Sequence, residues 1–479
     1  MQPRLEHLLI LIACAATAAA RQPDTQPNLL LLLTDNQPSW ALRCAGTPLI
    51  HTPHLDQLAR DGVRFTNAFV TTPVCAASRA SILTGLYRRR HGFTFLTPPL
   101  RASLALQSYP ALLRRHGYRT GLIGKFGIES NGRLLLENEQ TTLASMFDHF
   151  DNFEHWGKSG PSGYFVKQAD GSTRHLTDVT ADKTIRFVRE HVRQEADRPF
   201  CLSVSFNAPH AQDDDPQQYF WPPRLDHLYR DVTIPPPQNS APAFFRAQPA
   251  FLRASLGRER WHWRFDTPQK YQRMMKGMYR MVSGIDEAVG RIRRELEALD
   301  LAENTVILFS SDNGMLFGER GLSDCWLLYE PSLRVPLIVC DPRSPVSTRG
   351  TTRDEMALNL DLAPTLLEAA GAPLPGHLQG RSLLPLCRNP AEVPWRHDFL
   401  CEHLFQHPKI PQSDGVRTRE WKYLRYFEQD PPYEELYDLS ADPQETQNLA
   451  DKPQHRARLQ ELRRRRSALV AAPSRGAPD

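Results

Sequence analysis

Short apolar runs alternate along the chain with longer segments in which apolar residues recur every three or four positions. The clearest run covers residues 29–33 and consists of five leucines. An unbroken apolar run of this length is typical of a strand that is buried on both faces. Similar runs at 120–124, 200–206 and 305–309 are separated by helical patterns. The alternation predicts an α/β fold in which helices cover both faces of a sheet.

The longest predicted helix covers residues 271–299. Met278, Met281 and Ile285 belong to an apolar stripe at helical spacing, so this face is expected to pack on the core. Residues 211–270, which precede it, contain three consecutive aspartates, many prolines and three tryptophans. They are predicted to form a long irregular insertion, of the kind that is usually functional or mobile in a compact domain.

The character of the sequence changes again near residue 390. Three short strand-like runs and a final helical segment follow, at 416–418, 423–426, 436–439 and 453–468. They favour a small antiparallel sheet with a helix. We therefore predict a main domain over residues 27–390 and a C-terminal α+β subdomain over residues 391–479.

Composition and the N-terminus place the protein in a broad class. The 479 residues are 41% hydrophobic and 23% charged with a formal net charge of +4, which fits a soluble globular protein and falls short of a nucleic-acid-binding footprint. Residues 1–20 combine Arg4, a short apolar run and three terminal alanines, which predicts a signal peptide and export to the periplasm or medium. Residues 11–14 also resemble a lipobox, so membrane attachment is expected only if Cys14 is lipidated. The eight cysteines show no zinc-ligand spacing.

Polar clusters follow directly after the apolar runs. Asp35-Asn36, Lys125, His210 and Asp312-Asn313 each come just after a predicted strand or its short connecting turn. In open α/β sheets, ligands bind beyond the carboxyl ends of the strands, so these clusters are expected to converge. The two Asp-Asn pairs supply only oxygen donors, which suit Ca²⁺ or Mg²⁺. Each pair taken alone is also compatible with an ordinary turn.

Residues 75–85 read Cys-Ala-Ala-Ser-Arg-Ala-Ser-Ile-Leu-Thr-Gly. A buried cysteine at the start of a helix is the simplest interpretation of Cys75. A helix that begins at Cys75 would also present its free N–H groups and positive dipole end to an anion. Arg79 lies one turn further along that helix.

The 75–85 run resembles the signature of the sulfatase family, in which the cysteine is oxidised to formylglycine by a formylglycine-generating enzyme. Cys75, Ser78, Arg79 and the Leu-Thr-Gly at 83–85 match that signature. Further family-like segments lie at 52–59, 329–336, 360–365 and 435–439, so the resemblance covers residues 28 to about 450. It implies an alkaline-phosphatase-like fold, with a large mixed sheet sandwiched by helices and a smaller C-terminal antiparallel sheet plus helix.

The resemblance also implies roles for individual residues. The implied ligands of Ca²⁺ or Mg²⁺ are Asp35, Asn36, Cys75, Asp312 and Asn313. The implied catalytic residues are Cys75, as the formylglycine nucleophile, with Arg79, Lys125 and His210.

Four positions depart from the family pattern. Ala77 stands where proline is commonest, and Asn36 where a second aspartate is usual. Gly127 replaces a histidine that follows Lys125 in the family, and Cys325 stands at the position of a sulfate-binding lysine. A neutral thiol does not replace an ammonium group.

The expected activity is hydrolysis of a sulfate ester, with a sulfated carbohydrate or an aryl sulfate as substrate. Tryptophans 221, 261 and 263 of the insertion either stack on a sugar ring or pack within the insertion. Two alternatives stay open at this point. One is a phosphoester or phosphonate monoester hydrolase of the same superfamily, and the other is a weakly active or non-catalytic binder of sulfated glycans.

Overall fold

A computed structural model describes residues 26–95, 98–130, 133–153 and 163–472. The predicted signal peptide and Cys14 lie outside these residues. In the described part of the chain, no helix combines the length and apolar character needed to cross a membrane. The seven described cysteines form no disulfide with one another.

Eight strands form the central sheet. They are β1 (Asn28–Thr34), β2 (Val63–Phe65), β3 (Arg119–Gly124), β4 (His149–Asn152), β5 (Phe200–Ser205), β6 (Thr305–Ser311), β7 (Leu337–Cys340) and β8 (Thr351–Arg353). Their order across the sheet is β8-β2-β7-β6-β1-β5-β3-β4. The strands from β6 to β4 are parallel, whereas β7 runs antiparallel to both β6 and β2. The prediction of a large mixed sheet is confirmed.

The leucine run of β1 is buried because the sheet has a core on each face. Leu29 and Leu31 belong to one hydrophobic cluster, while Leu30 and Leu32 belong to the other. Successive side chains of a strand point to opposite faces, so a strand covered on both sides needs apolar residues at every position.

Helices supply both of these cores. The main helices are α1 (Pro53–Asp61), α2 (Cys75–Thr84), α3 (Tyr109–Arg115), α4 (Leu176–Gln194), α5 (Leu256–Arg264), α6 (Pro268–Ala298), α7 (Leu362–Ala369) and α8 (Arg456–Ala471). Helices α1, α4 and α6 pack in the cluster that contains Leu30, whereas α2, α3 and α7 pack in the cluster that contains Leu29. The apolar stripe predicted for residues 271–299 lies in α6, where Met278, Met281 and Ile285 are fully buried.

Shorter elements complete the described chain. The short helices are Arg88–His91, Ala102–Ala105, Glu139–Met146, Pro242–Arg246, Ala250–Arg253, Glu330–Leu333 and Leu384–Arg388. Short strand pairs are Ala68–Phe69 with Ala357–Leu358, Glu129–Ser130 with Arg133–Leu134, Phe165–Lys167 with Thr173–His175, and Leu316–Phe317 with Ser323–Asp324.

The insertion at 211–270 is less irregular than predicted. Its second half forms Pro242–Arg246, Ala250–Arg253 and α5. Pro242–Arg246 and Ala250–Arg253 have five and four residues, which is too few to show a helical period, and the residues that α5 buries are Gly257 and Arg264. Helix α5 instead packs through Arg264, which is buried despite its charge.

The C-terminal sheet has four antiparallel strands, β9 (Asp398–His403), β10 (Ser413–Thr418), β11 (Trp421–Tyr426) and β12 (Tyr433–Asp438). The sequence prediction missed β9 and placed the other three to within a few residues. One face of the sheet packs on α8 through Val416, Tyr423 and Leu459. Leu424 and Tyr426 on the other face join the core of the main domain.

Buried ion pairs fix the C-terminal sheet against the main domain. Lys422 is fully buried, and its Nζ lies 2.8 Å from Glu330 Oε1 and 2.6 Å from Glu445 Oε1. Arg417 donates to both carboxylate oxygens of Glu330 at 3.2 and 3.1 Å. A buried charge is tolerated only when it is paired and hydrogen-bonded, so these contacts specify how the sheet docks.

Candidate active site

Strand register brings the predicted polar clusters to one edge of the sheet. Leu33 of β1 is aligned with Ser205 of β5, and Thr34 with Ser311 of β6. Ser205 is in turn aligned with Gly124 of β3. The residues that follow these strand ends, Asp35, Asp312 and Lys125, therefore leave the sheet side by side.

Two carboxylates and two amides meet at this edge. Asp35 and Asp312 are both fully buried. The backbone N–H of Asn36 donates to Asp312 Oδ1 at 3.2 Å, and the amide of Asn313 donates to Asn36 Oδ1. Asn36 adopts a left-handed backbone with φ 63°, which asparagine tolerates better than most residues and which turns the chain back toward Asp312.

These residues fit a divalent cation. Asp35, Cys75 and Asp312 each offer one ligand atom, and the three atoms lie within 4.8 Å of one another. Asp35 Oδ1 and Asn313 Oδ1 are buried and accept no hydrogen bond from any described residue. Since an unpaired buried oxygen costs about 1–3 kcal/mol, a ligand for these oxygens is expected, and hard oxygen donors favour Ca²⁺ or Mg²⁺.

Arg79 links the carboxylates to the neighbouring strands. Its Nε donates to Asp312 Oδ2 at 2.8 Å, and its Nη1 donates to the Lys125 carbonyl at 2.7 Å and to Ser205 Oγ at 2.6 Å. Its Nη2 lies 3.8 Å from Asp35 Oδ2 and has no hydrogen-bond partner among the described residues. Arg79 thus holds both aspartates while keeping one N–H group for an anion.

Lys125 completes the positive side of the site. The lysine is 3% exposed, and its ammonium donates to Asp35 Oδ2. Burial alone would raise the pKa of Asp35, but the charges of Lys125, His210 and Arg79 outweigh burial and bring that pKa to about 2. Burial and the nearby Asp35 carboxylate raise the pKa of Asp312 to about 6. Asp35 is therefore the permanently ionised member of the pair, and a cation would favour ionisation of both.

Cys75 is the first residue of α2, as predicted, and keeps part of its surface exposed. No side chain caps this helix end, since Val74 precedes it. Burial, with a further contribution from the Asp35 and Asp312 carboxylates, raises the pKa of the Cys75 thiol to about 12. The thiolate is the nucleophilic form of cysteine, so the unmodified side chain is a poor nucleophile near neutral pH.

His210 faces the same edge from the turn after β5. Its Nδ1–H donates to the Ala211 carbonyl at 2.5 Å, so Nδ1 carries the proton of the neutral ring. The hydroxyl of Tyr164 donates to the carbonyls of Asn207 and His210 at 3.1 and 2.6 Å and so holds the turn. Burial lowers the pKa of the imidazole below its ordinary value.

All of the predicted site residues therefore meet at one edge: Asp35, Asn36, Cys75, Arg79, Lys125, His210, Asp312 and Asn313. Two contributors were not predicted, Ser205 and Tyr164. A serine at the last position of an otherwise apolar strand was the available signal for Ser205. Tyr164 acts through backbone carbonyls, which leave no trace in the sequence.

The two departures at Gly127 and Cys325 have different structural consequences. Cys325 is buried, and its thiol has a pKa raised well above the ordinary value by burial and by the Asp324 carboxylate, so no charge replaces the lysine there. Gly127 has φ +75°, and a Cβ at this position would lie 2.3 Å from Arg79 Cδ. The Arg79 side chain thus occupies the space next to residue 127.

Gly127→Ala is expected to destabilise the fold by about 2–4 kcal/mol, because it combines a left-handed backbone with a clash against Arg79. Gly171→Ala is the matched control. Gly171 has φ +83° but nothing within 4 Å of an added Cβ, so only the backbone cost of about 1–2 kcal/mol is expected. Urea unfolding measures the free energy of unfolding of both variants. Equal losses of this free energy would show that the Arg79 side chain moves aside without cost.

Comparisons with known proteins show which families and relatives this chain is similar to. A family model described as "Sulfatase" matches residues 27–372, and a model described as "N-sulphoglucosamine sulphohydrolase, C-terminal" matches residues 318–471. An N-acetylglucosamine-6-O-sulfatase of Bacteroides thetaiotaomicron is 26% identical, with 96% of this chain and 90% of the relative covered. The human N-sulphoglucosamine sulphohydrolase is 28% identical over 91% of this chain and 88% of its own length.

A solved structure is similar over nearly the whole chain. It was determined in complex with its substrate D-glucosamine-2-N,6-O-disulfate. The TM-score is 0.76 at 26% identity, and the match covers 92% of this chain and 97% of the other.

Proposed function

The chain belongs to the sulfatase family and is an enzyme that hydrolyses sulfate esters, and from that premise we propose that it releases sulfate from a sulfated carbohydrate through a formylglycine formed at Cys75 and a bound divalent cation. The observation that carries this proposal is the convergence of Asp35, Asp312 and Cys75 within 4.8 Å, with Arg79 and Lys125 against them. Two acidic ligands, two cations and a cysteine at a helix start form a site for a divalent cation and a bound anion.

The cation would be held by Asp35, Asn36, Asp312 and Asn313 together with the side chain at position 75. When bound, it supplies Lewis-acid stabilisation of negative charge and favours ionisation of a hydroxyl group. The unpartnered oxygens of Asp35 and Asn313 support this assignment.

Cys75 is proposed to act only after conversion, because its thiol is protonated near neutral pH. The hydrated aldehyde of formylglycine supplies a hydroxyl nucleophile in place of the thiol. Conversion would require a formylglycine-generating enzyme that accepts alanine at position 77, so this enzyme is a proposed partner.

The residues around Cys75 would bind and orient the sulfate group. Arg79 has an N–H group that no described residue uses, and Lys125 carries a second positive charge beside it. The N-terminal N–H groups of α2 would face the same anion. Because Asp312 and Ser205 fix the guanidinium of Arg79, its orientation costs little when sulfate binds.

His210 is the proposed general acid. Its Nδ1–H is held by the Ala211 carbonyl, so the proton on Nε2 of the charged ring is the one given to the departing alcohol oxygen. A sugar alcohol is a poor leaving group, and protonation of its oxygen therefore matters more than for an aryl alcohol.

A carbohydrate substrate is supported by two relatives. The Bacteroides thetaiotaomicron and human proteins are both named for glucosamine sulfates, and the similar solved structure contains such a sugar. Export is proposed from residues 1–20 alone, and it would place the enzyme where sulfated polysaccharides are encountered.

The proposal is tested with protein made alongside a formylglycine-generating enzyme. Sulfate release is measured from N-acetylglucosamine 6-sulfate, D-glucosamine-2-N,6-O-disulfate and phenyl sulfate. Turnover of phenyl phosphate and of a phenyl phosphonate monoester is measured alongside, as alternative substrates. Sulfate release that needs a divalent cation is expected. Faster turnover of the phosphate or phosphonate ester would assign the site to the other hydrolase class.

His210→Gln is expected to lower kcat for a sugar sulfate by roughly 10²- to 10⁴-fold and for phenyl sulfate by much less, because only the poor leaving group needs a proton. In the wild type, the rate for the sugar should fall as pH rises through the His210 pKa, which burial places below its ordinary value. That alkaline fall should vanish in the variant. Equal losses for both substrates would remove His210 from the role of general acid.

A further inference from the structure

A cluster of four buried or half-buried charges lies next to the active site. It consists of Asp213, Arg260, Arg264 and Asp324. Arg260 Nη2 lies 2.8 Å from Asp213 Oδ2, and its Nη1 donates to Asp324 Oδ2. Arg264 contacts the same two carboxylates. The two positive and two negative charges balance, so the cluster is stable without a ligand.

The two arginines differ in how many N–H donors they leave for a ligand. Arg264 is 1% exposed and uses Nε and both terminal nitrogens on Gln218, Asp213, Asp324 and Ser323. Arg260 is 16% exposed and spends only two of the five N–H donors of a guanidinium on the aspartates. Arg264 is therefore a structural residue, whereas Arg260 keeps donors for a further partner.

Two tryptophans flank the Arg260 guanidinium. Its Cζ lies 4.6 Å from the ring centre of Trp326 and 5.7 Å from that of Trp263. Trp263 is 42% exposed, which is unusual for so large an apolar side chain. Trp221 and Trp261 are used differently: Trp221 donates to Asp226, and Trp261 lies against Arg258. Trp263 is thus the insertion tryptophan left to contact a ligand.

Chain connectivity places this cluster beside the catalytic groups. Asp213 is three residues after His210, and Asp324 precedes Cys325, whose backbone N–H donates to Asp324 Oδ1 at 2.9 Å. The negative charges of Asp213 and Asp324 raise the pKa of the His210 imidazole against the larger effect of burial, so both carboxylates lie within electrostatic range of His210. The cluster therefore borders the active site close to His210.

We propose that Arg260, on α5 of the insertion, is a substrate-positioning residue that donates hydrogen bonds to an oxygen acceptor on the carbohydrate leaving group, with Trp263 and Trp326 against the sugar ring. This inference rests on the proposed sulfatase function. An arginine held by two aspartates is pre-oriented, so it can select a sugar that carries hydroxyl, carboxylate or sulfate oxygens near the scissile ester. Phenyl sulfate has no such acceptor on its leaving group.

The test compares kcat/KM for N-acetylglucosamine 6-sulfate and phenyl sulfate in Arg260→Met. The sugar sulfate should lose roughly 10- to 100-fold, mainly in KM, while phenyl sulfate changes by less than about twofold. Arg260→Lys should recover part of the loss. Arg258→Met is the matched control, because Arg258 lies on the same helix but packs on Phe245 and Trp261 and should leave the ratio of the two substrates unchanged.

The possible results separate this inference from the proposed function. Equal losses for both substrates in Arg260→Met, or no loss for either, would overturn the role in leaving-group recognition. Trp263→Ala is a second test in case Arg260→Met folds poorly, because an exposed ring can be removed with little loss of stability. The variant should raise KM for the sugar sulfate about threefold or more. An unchanged KM would count against the proposal. Wild-type protein that released sulfate from neither substrate would overturn the proposed function itself.

Discussion

Replacing Cys75 with alanine is expected to reduce sulfate release by on the order of 10⁴-fold or more, because the variant has no side chain that can be converted into a nucleophile. The Tm should stay within a few degrees of the wild type. Cys75 is the first residue of α2 and the change removes a single sulfur atom, so the cavity left behind is small. Sulfate release and thermal unfolding of the same preparation measure the two effects.

Cys44→Ala is the control for this experiment. Cys44 is also a half-buried free thiol, but it precedes α1 and packs against the core that contains Leu30, on the face of the sheet opposite α2, and its loss should have no effect on turnover. Full turnover by Cys75→Ala would contradict the proposed mechanism. Among the described residues, Cys75 is the one that both begins a helix and lies beside the Asp35 and Asp312 carboxylates.

Asp312→Asn is expected to lower activity by roughly 10²- to 10⁴-fold and to raise the cation concentration needed for half-maximal rate, because the change removes one of two acidic ligands. Asparagine keeps the shape and can still accept from the Asn36 N–H. The variant also leaves the Arg79 charge with only the more distant Asp35, which should cost about 3–5 kcal/mol of unfolding free energy. Excess cation should restore part of the rate.

Asp341→Asn is the control that separates the loss of stability from the loss of cation binding. Asp341 is buried and pairs with Arg343 at 2.8 Å beyond the end of β7, away from the site. Its loss should likewise destabilise the fold but leave the cation dependence unchanged. If Asp312→Asn showed the wild-type cation dependence, Asp312 could not be a metal ligand.

The sheet was predictable because its strands are buried on both faces. The unbroken leucines of β1 and the mainly apolar runs in β3, β5 and β6 indicate strands that helices cover on both faces. β9 was missed because its apolar run covers only residues 399–401 and is followed by Glu402 and His403, which are also buried. Helix α5 was missed because the residues that it buries, Gly257 and Arg264, are not large apolar side chains.

The convergence of the site follows from the same topology. Once β1, β5 and β6 are parallel neighbours, the residues after their ends must meet, so Asp35, His210 and Asp312 could be grouped without a structure. The orientation of Arg79 could not be predicted. It depends on the space beside Gly127 and on Ser205, two features that only the packed structure relates.

The leaving-group side of the site was also beyond sequence reasoning. Asp213 and Asp324 lie more than a hundred residues apart, and Arg260 joins them from a short helix without an apolar period. The sequence indicated only that the insertion contained tryptophans. Which of them is exposed is decided by neighbours such as Arg258 and Asp226, which cover Trp261 and Trp221.

Mass spectrometry of the tryptic peptide of residues 65–79, combined with sulfate release from the same sample, tests the central claim most directly. Protein made with a formylglycine-generating enzyme should carry the aldehyde or its hydrate at position 75, and the rate should rise in proportion to the converted fraction. An unmodified Cys75 thiol in protein that releases sulfate at full rate would contradict the account.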